Sequence, residues 1–349
     1  MKKRFSFGLG AVVGLLLLVL SFLFLSPDQS YSQSDFQFHH DGQRVSGSLI
    51  LPRDAKNEPR DCVVFVHGDG AMDREGLGYF APYFSHFAER GMCVLSWDKP
   101  GVGASEGNWL SFDMAARAEL VKAAINALRA QSRFDVRSVG LMGFSQAGWV
   151  MPKIAAKEND IHFYIFVSPA VNWQRQSQFM SALRERDLGA EAIAARRASG
   201  APVDALLAAN EPYAAFEALA TSRDDVDGNA FSKDRWDFVR ANMHADLTAD
   251  LQKIGDAPVL LLLGARDGQV DAEESRKVFQ EKLKADQLKV GWFDEAGHSL
   301  IHVDEQKPMD EWDGLVLLTK VMIGGKSAFA PGVWAAIDEF LAAQNSSTD

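Results

Sequence analysis

The chain has 349 residues, of which 47% are apolar and 24% charged, proportions that suit a globular protein with a substantial core and fit one large α/β domain or two ordinary ones. A formal net charge of −11, with no basic stripe beyond the first residues, works against nucleic acid as a partner, because phosphate binding needs clustered Lys and Arg. Two cysteines, Cys62 and Cys93, are too few for a disulfide-built scaffold; both sit in apolar runs and read as buried structural thiols, a bond between them being open to the chain but not indicated.

Lys2, Lys3 and Arg4 precede an uncharged apolar run from Phe5 to Leu25. That run exceeds the usual signal-peptide core and is long enough to span a bilayer as a helix. The basic flank would stay cytoplasmic, which places the rest of the chain on the far side of the membrane. The competing reading is a cleaved signal peptide, for which Ser30-Tyr31-Ser32 offers a poor small-x-small site. Residues 1–33 are therefore expected to be an anchor or signal peptide plus a polar linker, and residues 34–349 the folded domain. The protein is expected to be exported, either held in the inner membrane by a single pass or secreted.

Two antiparallel strands are predicted near Asp35–His40 and Arg44–Leu51, with Asp41-Gly42 as the turn. Short apolar runs then alternate with helical periodicity, giving strands at Val63–Val66, Cys93–Trp97, Val139–Met142, Phe163–Val167, Val259–Leu263 and Val290–Phe293. The clearest helix is Phe112–Ala130, where Val121, Ile125 and Leu128 recur at helical spacing and Ser111 is placed to cap the start. This alternation implies a mostly parallel central sheet with helices on both faces. Residues 172–252 break it, holding helical runs such as Ala190–Arg197 and Trp236–Ala245 but no convincing strand, and are expected to form a helical cap insertion over the site. The last helix, Val333–Ala343, carries Val333, Ile337, Phe340 and Leu341 on the face that meets the sheet. His39-His40-Asp41 reads as a hairpin tip rather than a metal site, since strand neighbours point to opposite faces.

The segment Gly143-Phe144-Ser145-Gln146-Ala147 follows a predicted strand and matches the pattern G-x-S-x-G, except that Ala147 replaces the last glycine and Gly148 follows. In that pattern a sharp strand-to-helix turn strains the serine backbone, and small neighbours let strand and helix approach closely. Ser145 is the candidate nucleophile, with a helix expected after it, bent by Pro152. A serine needs a base; His298, which closes the stretch Gly291–His298 running from the last predicted strand through a glycine, is the candidate, and His302 is the competitor. A carboxylate must fix the imidazole's tautomer; Asp267, just past the strand Val259–Leu263, is the candidate, with Asp271 and Asp294 as fallbacks. An oxyanion needs N–H donors: the backbone of Gln146 supplies one, and the loop Val66-His67-Gly68-Asp69-Gly70 supplies Asp69 as first choice and Gly70 as second. The Asp69 carboxylate is expected to point away or be paired, with Arg74 as a plausible partner. His67 and Asp98 read as structural.

Four segments, "VHGDGAMDREG" (66–76), "LSWDKPGVGASEG" (95–107), "GFSQAGWVMP" (143–152) and the pair "LLLGARDGQV" and "DEAGHS", resemble the α/β-hydrolases, nearest the bacterial esterase, acyltransferase and serine-aminopeptidase-like branch. The likeness spans most of residues 45–300, with the cap least matched. Relatives more often carry Ser after His-Gly, where this chain has Asp69. The resemblance implies the α/β-hydrolase fold for residues 34–349 and the nucleophile-acid-base order Ser145, Asp267, His298. It further implies a serine hydrolase that cleaves carboxylic esters or thioesters of a small-molecule acyl substrate through an acyl-enzyme on Ser145, with no cofactor and no metal. An aminopeptidase or amidase with the same triad is the alternative, and would need an acidic anchor such as Glu211 or Glu217. A non-catalytic, membrane-tethered binding module is the third reading.

Overall fold

The computed structural model describes residues 30–345. The run Phe5–Leu25, with the anchor or signal expected there, lies outside the described residues. Within them, no helix is long and apolar enough to cross a membrane.

The strands are β1 (Tyr31–His40), β2 (Gln43–Pro52), β3 (Arg60–Val66), β4 (Cys93–Trp97), β5 (Val136–Phe144), β6 (Ile161–Val167), β7 (Val259–Gly264) and β8 (Leu288–Phe293). They form one open sheet in the order β1-β2-β4-β3-β5-β6-β7-β8. The first pairings, β1 with β2 and β2 with β4, are antiparallel, and every later one is parallel. Successive side chains alternate between two cores: Val63 and Phe65 of β3 face one side, while Cys62, Val64 and Val66 face the other. Both sides are apolar, which is why these strands read as continuous hydrophobic runs.

The helices of eight residues or more are α1 (Ala81–Ala88), α2 (Met114–Ala130), α3 (Trp173–Glu185), α4 (Ala190–Ala208), α5 (Tyr213–Ser222), α6 (Lys233–Asn242), α7 (Ala272–Lys282), α8 (Glu311–Gly324) and α9 (Val333–Asn345). Helices α1 and α9 cover one face of the sheet, α2 and α7 the other. Helices α3–α6 fill the segment between β6 and β7, where Phe216, Val226 and Trp236 build a small core of their own.

Three local expectations change. The cap of α2 is Asp113, whose side chain accepts the Ala116 N–H at 2.7 Å, because the helix begins two residues later than its apolar periodicity suggests. The α-helix expected after Ser145 is instead a pair of 3₁₀ turns, Ser145–Trp149 and Met151–Lys153, the second opening around Pro152, which has no N–H to continue a helix. Cys62 and Cys93 are not free thiols. They stand in register on adjacent parallel strands and form a disulfide, their Cα atoms 4.5 Å apart. Strand adjacency is a tertiary fact that neither apolar run carries by itself.

Candidate active site

Consecutive parallel strands lie on opposite sides of β3, β4 to one side and β5 to the other. The loops leaving the carboxyl ends of β3 and β5 therefore diverge and open a crevice there. Ser145 sits at this point, the first residue after β5, with φ of 52°. A non-glycine residue with positive φ is strained, and here the surroundings hold it. Gly143 lets the turn close, since a Cβ there would meet Met151 Sδ at 2.6 Å and Ala147 Cβ at 2.8 Å. Ala147 thus occupies room that Gly143 leaves. The Ser145 carbonyl accepts the Ala170 N–H at 3.0 Å.

Asp267 follows β7 and His298 follows β8, so the neighbouring β7 and β8 bring together residues separated in sequence. His298 Nδ1 lies 2.8 Å from Asp267 Oδ2. The Asp267 side chain is buried, and its Oδ1 accepts the N–H groups of Gln269 and Val270 at 2.7 and 2.9 Å, which fixes the carboxylate. Neither fallback carboxylate is placed this way: Asp271 caps α7 and Asp294 accepts the Trp292 indole N–H. His302 is half exposed between Glu295 and Asp304.

Ser145 and His298 line one cavity of about 280 Å³. Among the described residues no hydrogen bond joins their side chains, so the cavity, not a direct contact, unites them. Its wall is mostly apolar, from Met72, Leu77, Phe80, Phe144, Val167 and Leu317 among others. A second cavity of about 250 Å³ adjoins it, sharing Gln269, His298, Met309 and Leu317.

The loop after β3 carries Gly68 against Ser145, where an added Cβ would lie 3.4 Å from Ser145 Cβ. Buried Lys99 donates to the carbonyls of Gly68 at 2.6 Å and Gly70 at 2.8 Å. In a planar trans peptide the C=O of one residue and the N–H of the next point in opposite directions. Anchoring the Gly68 carbonyl on Lys99 therefore turns the Asp69 N–H away from Lys99. Burial, with the nearby Arg117 charge, pushes the Lys99 ammonium well below its usual range; two donors remain for the two carbonyls in either protonation state. Arg117, also buried and lowered by that burial to about 10, donates to the His67 carbonyl at 2.5 Å and to the Gln146 side chain. It ties the loop after β3 to the turn after β5. Gln146 is the second residue of its 3₁₀ turn, so its N–H has no carbonyl partner within that turn.

The Asp69 carboxylate is paired, but not with Arg74. Arg235 of α6 grips it with both terminal nitrogens, at 3.2 and 2.9 Å. Burial resists the Asp69 charge, yet the hydrogen bonds and charge of Arg235, with the Lys99 charge and the Gly70 N–H, together outweigh it and hold the carboxyl below its usual range. Arg74 instead forks onto Asp98 at 3.1 and 2.8 Å. Asp98 also accepts the Ala104 N–H at 3.0 Å, which places it in the glycine-rich loop rather than at the cavity. His67 is buried, and its Nε2 lies 3.4 Å from Ser96 Oγ.

Lys99, Arg117, Arg235 and the cavity wall from α8 carried no sequence signal that singled them out. Their partners are backbone carbonyls or residues scores of positions away. A lysine two residues past an apolar strand, in Trp97-Asp98-Lys99, was the one available hint.

A family model described as "Serine aminopeptidase, S33" matches residues 57–306. Among solved structures, the proline iminopeptidase of Mycobacterium smegmatis is similar, with 14% identity, a TM-score of 0.56, and 90% of this chain and 100% of that one covered. The Pyrococcus furiosus esterase Pf2001 aligns at 18% identity and a TM-score of 0.55, covering 78% and 85% of the two chains. Est1E from Butyrivibrio proteoclasticus, solved with ferulic acid, aligns at 15% identity and a TM-score of 0.50, covering 84% and 98%. At such identities these likenesses establish the fold. No curated protein matches the sequence.

Proposed function

Since the chain belongs to the serine aminopeptidase S33 family of hydrolases, we propose that it is a serine hydrolase cleaving carboxylic esters or thioesters. The observation that carries this reading is the buried Asp267–His298 hydrogen bond opening on the cavity that Ser145 also lines. In this reading Ser145 Oγ attacks the acyl carbon while His298 takes its proton, and the Asp69 and Gln146 N–H groups hold the tetrahedral oxyanion. His298 then returns the proton to the leaving group, and water, activated by the same imidazole, releases the acyl group from Ser145. Asp267 keeps the imidazole in the tautomer that leaves Nε2 free to accept and stabilises the imidazolium.

The choice of an ester over an amino-terminal peptide rests on the cavity wall. Among the lining residues Asp69 is the one carboxylate, and Arg235 already neutralises it. Glu211 and Glu217 are exposed and line neither cavity, and the carboxylates Asp304, Glu305 and Asp313 line the adjoining cavity rather than the one that holds Ser145. We further read the apolar run Phe5–Leu25 and the Cys62–Cys93 disulfide together as marks of a domain exported and held at a membrane.

A fluorophosphonate probe is expected to label the wild type and not Ser145→Ala, and the wild type is expected to turn over short p-nitrophenyl esters far faster than aminoacyl-p-nitroanilides. Equal labelling of the two proteins would refute the nucleophile; a preference for the anilides would move the reading to an aminopeptidase.

A further inference from the structure

Helix α8 is apolar on both sides. Gly314, Leu317 and Leu318 on its inner side wall the cavity of Ser145, and Val321 is buried. Its outer side carries Trp312, Leu315, Val316, Met322 and Ile323, with Trp312 75% and Ile323 70% exposed. A helix with apolar residues on both its sides is ordinarily a buried one, and an exposed cluster of large apolar side chains marks an interaction surface. Leu77 extends the face: it is 63% exposed, held at φ of 55°, and belongs to the turn that packs on α8. Leu77 and the exposed Met309 also line the cavity, so apolar residues lie both on the outside of α8 and at the cavity wall, with Thr319 and Lys320 exposed among them.

The path of the chain says what covers this face. Ser30, the first described residue, donates to Ser85 Oγ at 2.9 Å, Ser85 donates to Glu89 at 3.0 Å, and Lys326 Nζ donates to the same carboxylate at 2.6 Å. Lys326 lies two residues past the end of α8, so three side-chain hydrogen bonds link the start of the described chain to the end of the helix that carries Met322 and Ile323. Before Ser30 the sequence is uncharged and apolar from Phe5 to Leu25. The five residues from Leu25 to Ser30 reach at most about 17 Å. A bilayer that holds Phe5–Leu25 therefore meets the molecule beside α8. With a net charge of −11, the chain is suited to attachment through apolar contact rather than through attraction to anionic lipid.

We propose that the outer face of α8, with Leu77 and Met309 at its edge, lies in a lipid surface, and that the cavity draws a lipid-soluble acyl ester from that surface rather than from water. The docking stands on the geometry of α8 and Ser30; the substrate class rests on the hydrolase reading above.

The test uses the full chain reconstituted into phosphatidylcholine vesicles whose acyl chains carry bromine, a short-range quencher of tryptophan fluorescence. Trp312 is expected to account for more than half of the quenching, so that Trp312→Phe removes that share, and quenching is expected to persist at high salt. Quenching unchanged in Trp312→Phe would overturn the docking. In a Leu315→Asp/Ile323→Asp variant, neither position of which lines the cavity, hydrolysis of a long-chain ester dissolved in the vesicle is expected to fall about tenfold or more. Turnover of a water-soluble short ester, which reports an intact fold and triad, is expected to stay within about twofold. An equal loss on both substrates would overturn the proposal. So would an unquenched wild type that the same variant converts from dimer to monomer, which would assign the face to a second copy of the chain. If no ester of either kind is turned over, the hydrolase reading and the substrate half fall together, and the bromine quenching still decides the docking.

Discussion

The Asp267 carboxylate divides its two oxygens between two tasks: Oδ2 meets His298 Nδ1 at 2.8 Å, and Oδ1 takes the N–H groups of Gln269 and Val270 at 2.7 and 2.9 Å. This division makes Asp267→Asn informative. The asparagine oxygen can keep both backbone N–H groups while its NH₂ faces His298, which then must accept at Nδ1 and carry its proton on Nε2, the wrong tautomer for a base. Ester turnover is expected to fall by about 10³–10⁴-fold with the far-ultraviolet circular dichroism unchanged. Near wild-type kcat in this variant would mean that His298 is not the base.

Arg235 neutralises a carboxylate whose own N–H is a proposed oxyanion donor. Removing the guanidinium in Arg235→Ala leaves a negative charge beside the place where another develops. We expect kcat to drop about tenfold with little change in KM, and Asp69→Asn added to Arg235→Ala to recover most of the loss. Steady-state kinetics on a short ester read the coupling. If the double variant is as slow as Arg235→Ala alone, the charge at Asp69 is irrelevant to the reaction.

Lys99 holds the carbonyls of Gly68 and Gly70. In Lys99→Met both acceptors lose their partner, at about 1–3 kcal/mol each, and the Asp69 peptide is free to turn. The variant is expected to lose stability in urea unfolding and to slow about 10–100-fold in kcat. A destabilised variant with full kcat would separate the lysine's structural role from the proposed oxyanion donor.

Stability is expected to decline with mild acid, and His67 gives the sign. Burial, together with the charges of Lys99 and Arg117, holds the His67 imidazole well below its ordinary value of 6.5. Below that value the unfolded chain takes up a proton at this site that the native state refuses, so the unfolded state gains. The contribution is fully present above about pH 6.5 and is lost as pH falls, with a slope of about 1.4 kcal/mol per pH unit. Urea midpoints measured from pH 7.5 to 5 check this against His67→Gln, which is expected to lack that part of the slope; equal slopes would contradict it.

Much of the architecture is written locally in the chain. Every predicted strand from Asp35–His40 to Val290–Phe293 falls inside an observed one, because strands buried on both faces leave uninterrupted apolar runs such as Val259–Leu263. The positions of Ser145, Asp267 and His298 at strand ends were legible for the same reason: each follows such a run within a few residues. What local pattern does not carry is the second partner of a contact. Asp69 has Arg74 close by in sequence, yet its ion pair comes from Arg235, 166 residues away. Helix α8 escaped notice because its apolar residues lie on both sides, leaving no amphipathic stripe to detect. The Cys62–Cys93 bond needed strand order, which depends on the crossover between β3 and β4.

That bond has a bearing on manufacture as well as on endurance. It joins two strands in the middle of the sheet, and glutathione-rich cytosol keeps such sulfurs reduced. A batch made inside bacteria and another made through their secretion route would then be chemically different preparations of the same polypeptide, separable by thiol titration. Only the second would have the covalent rivet that keeps its central ribbons from parting.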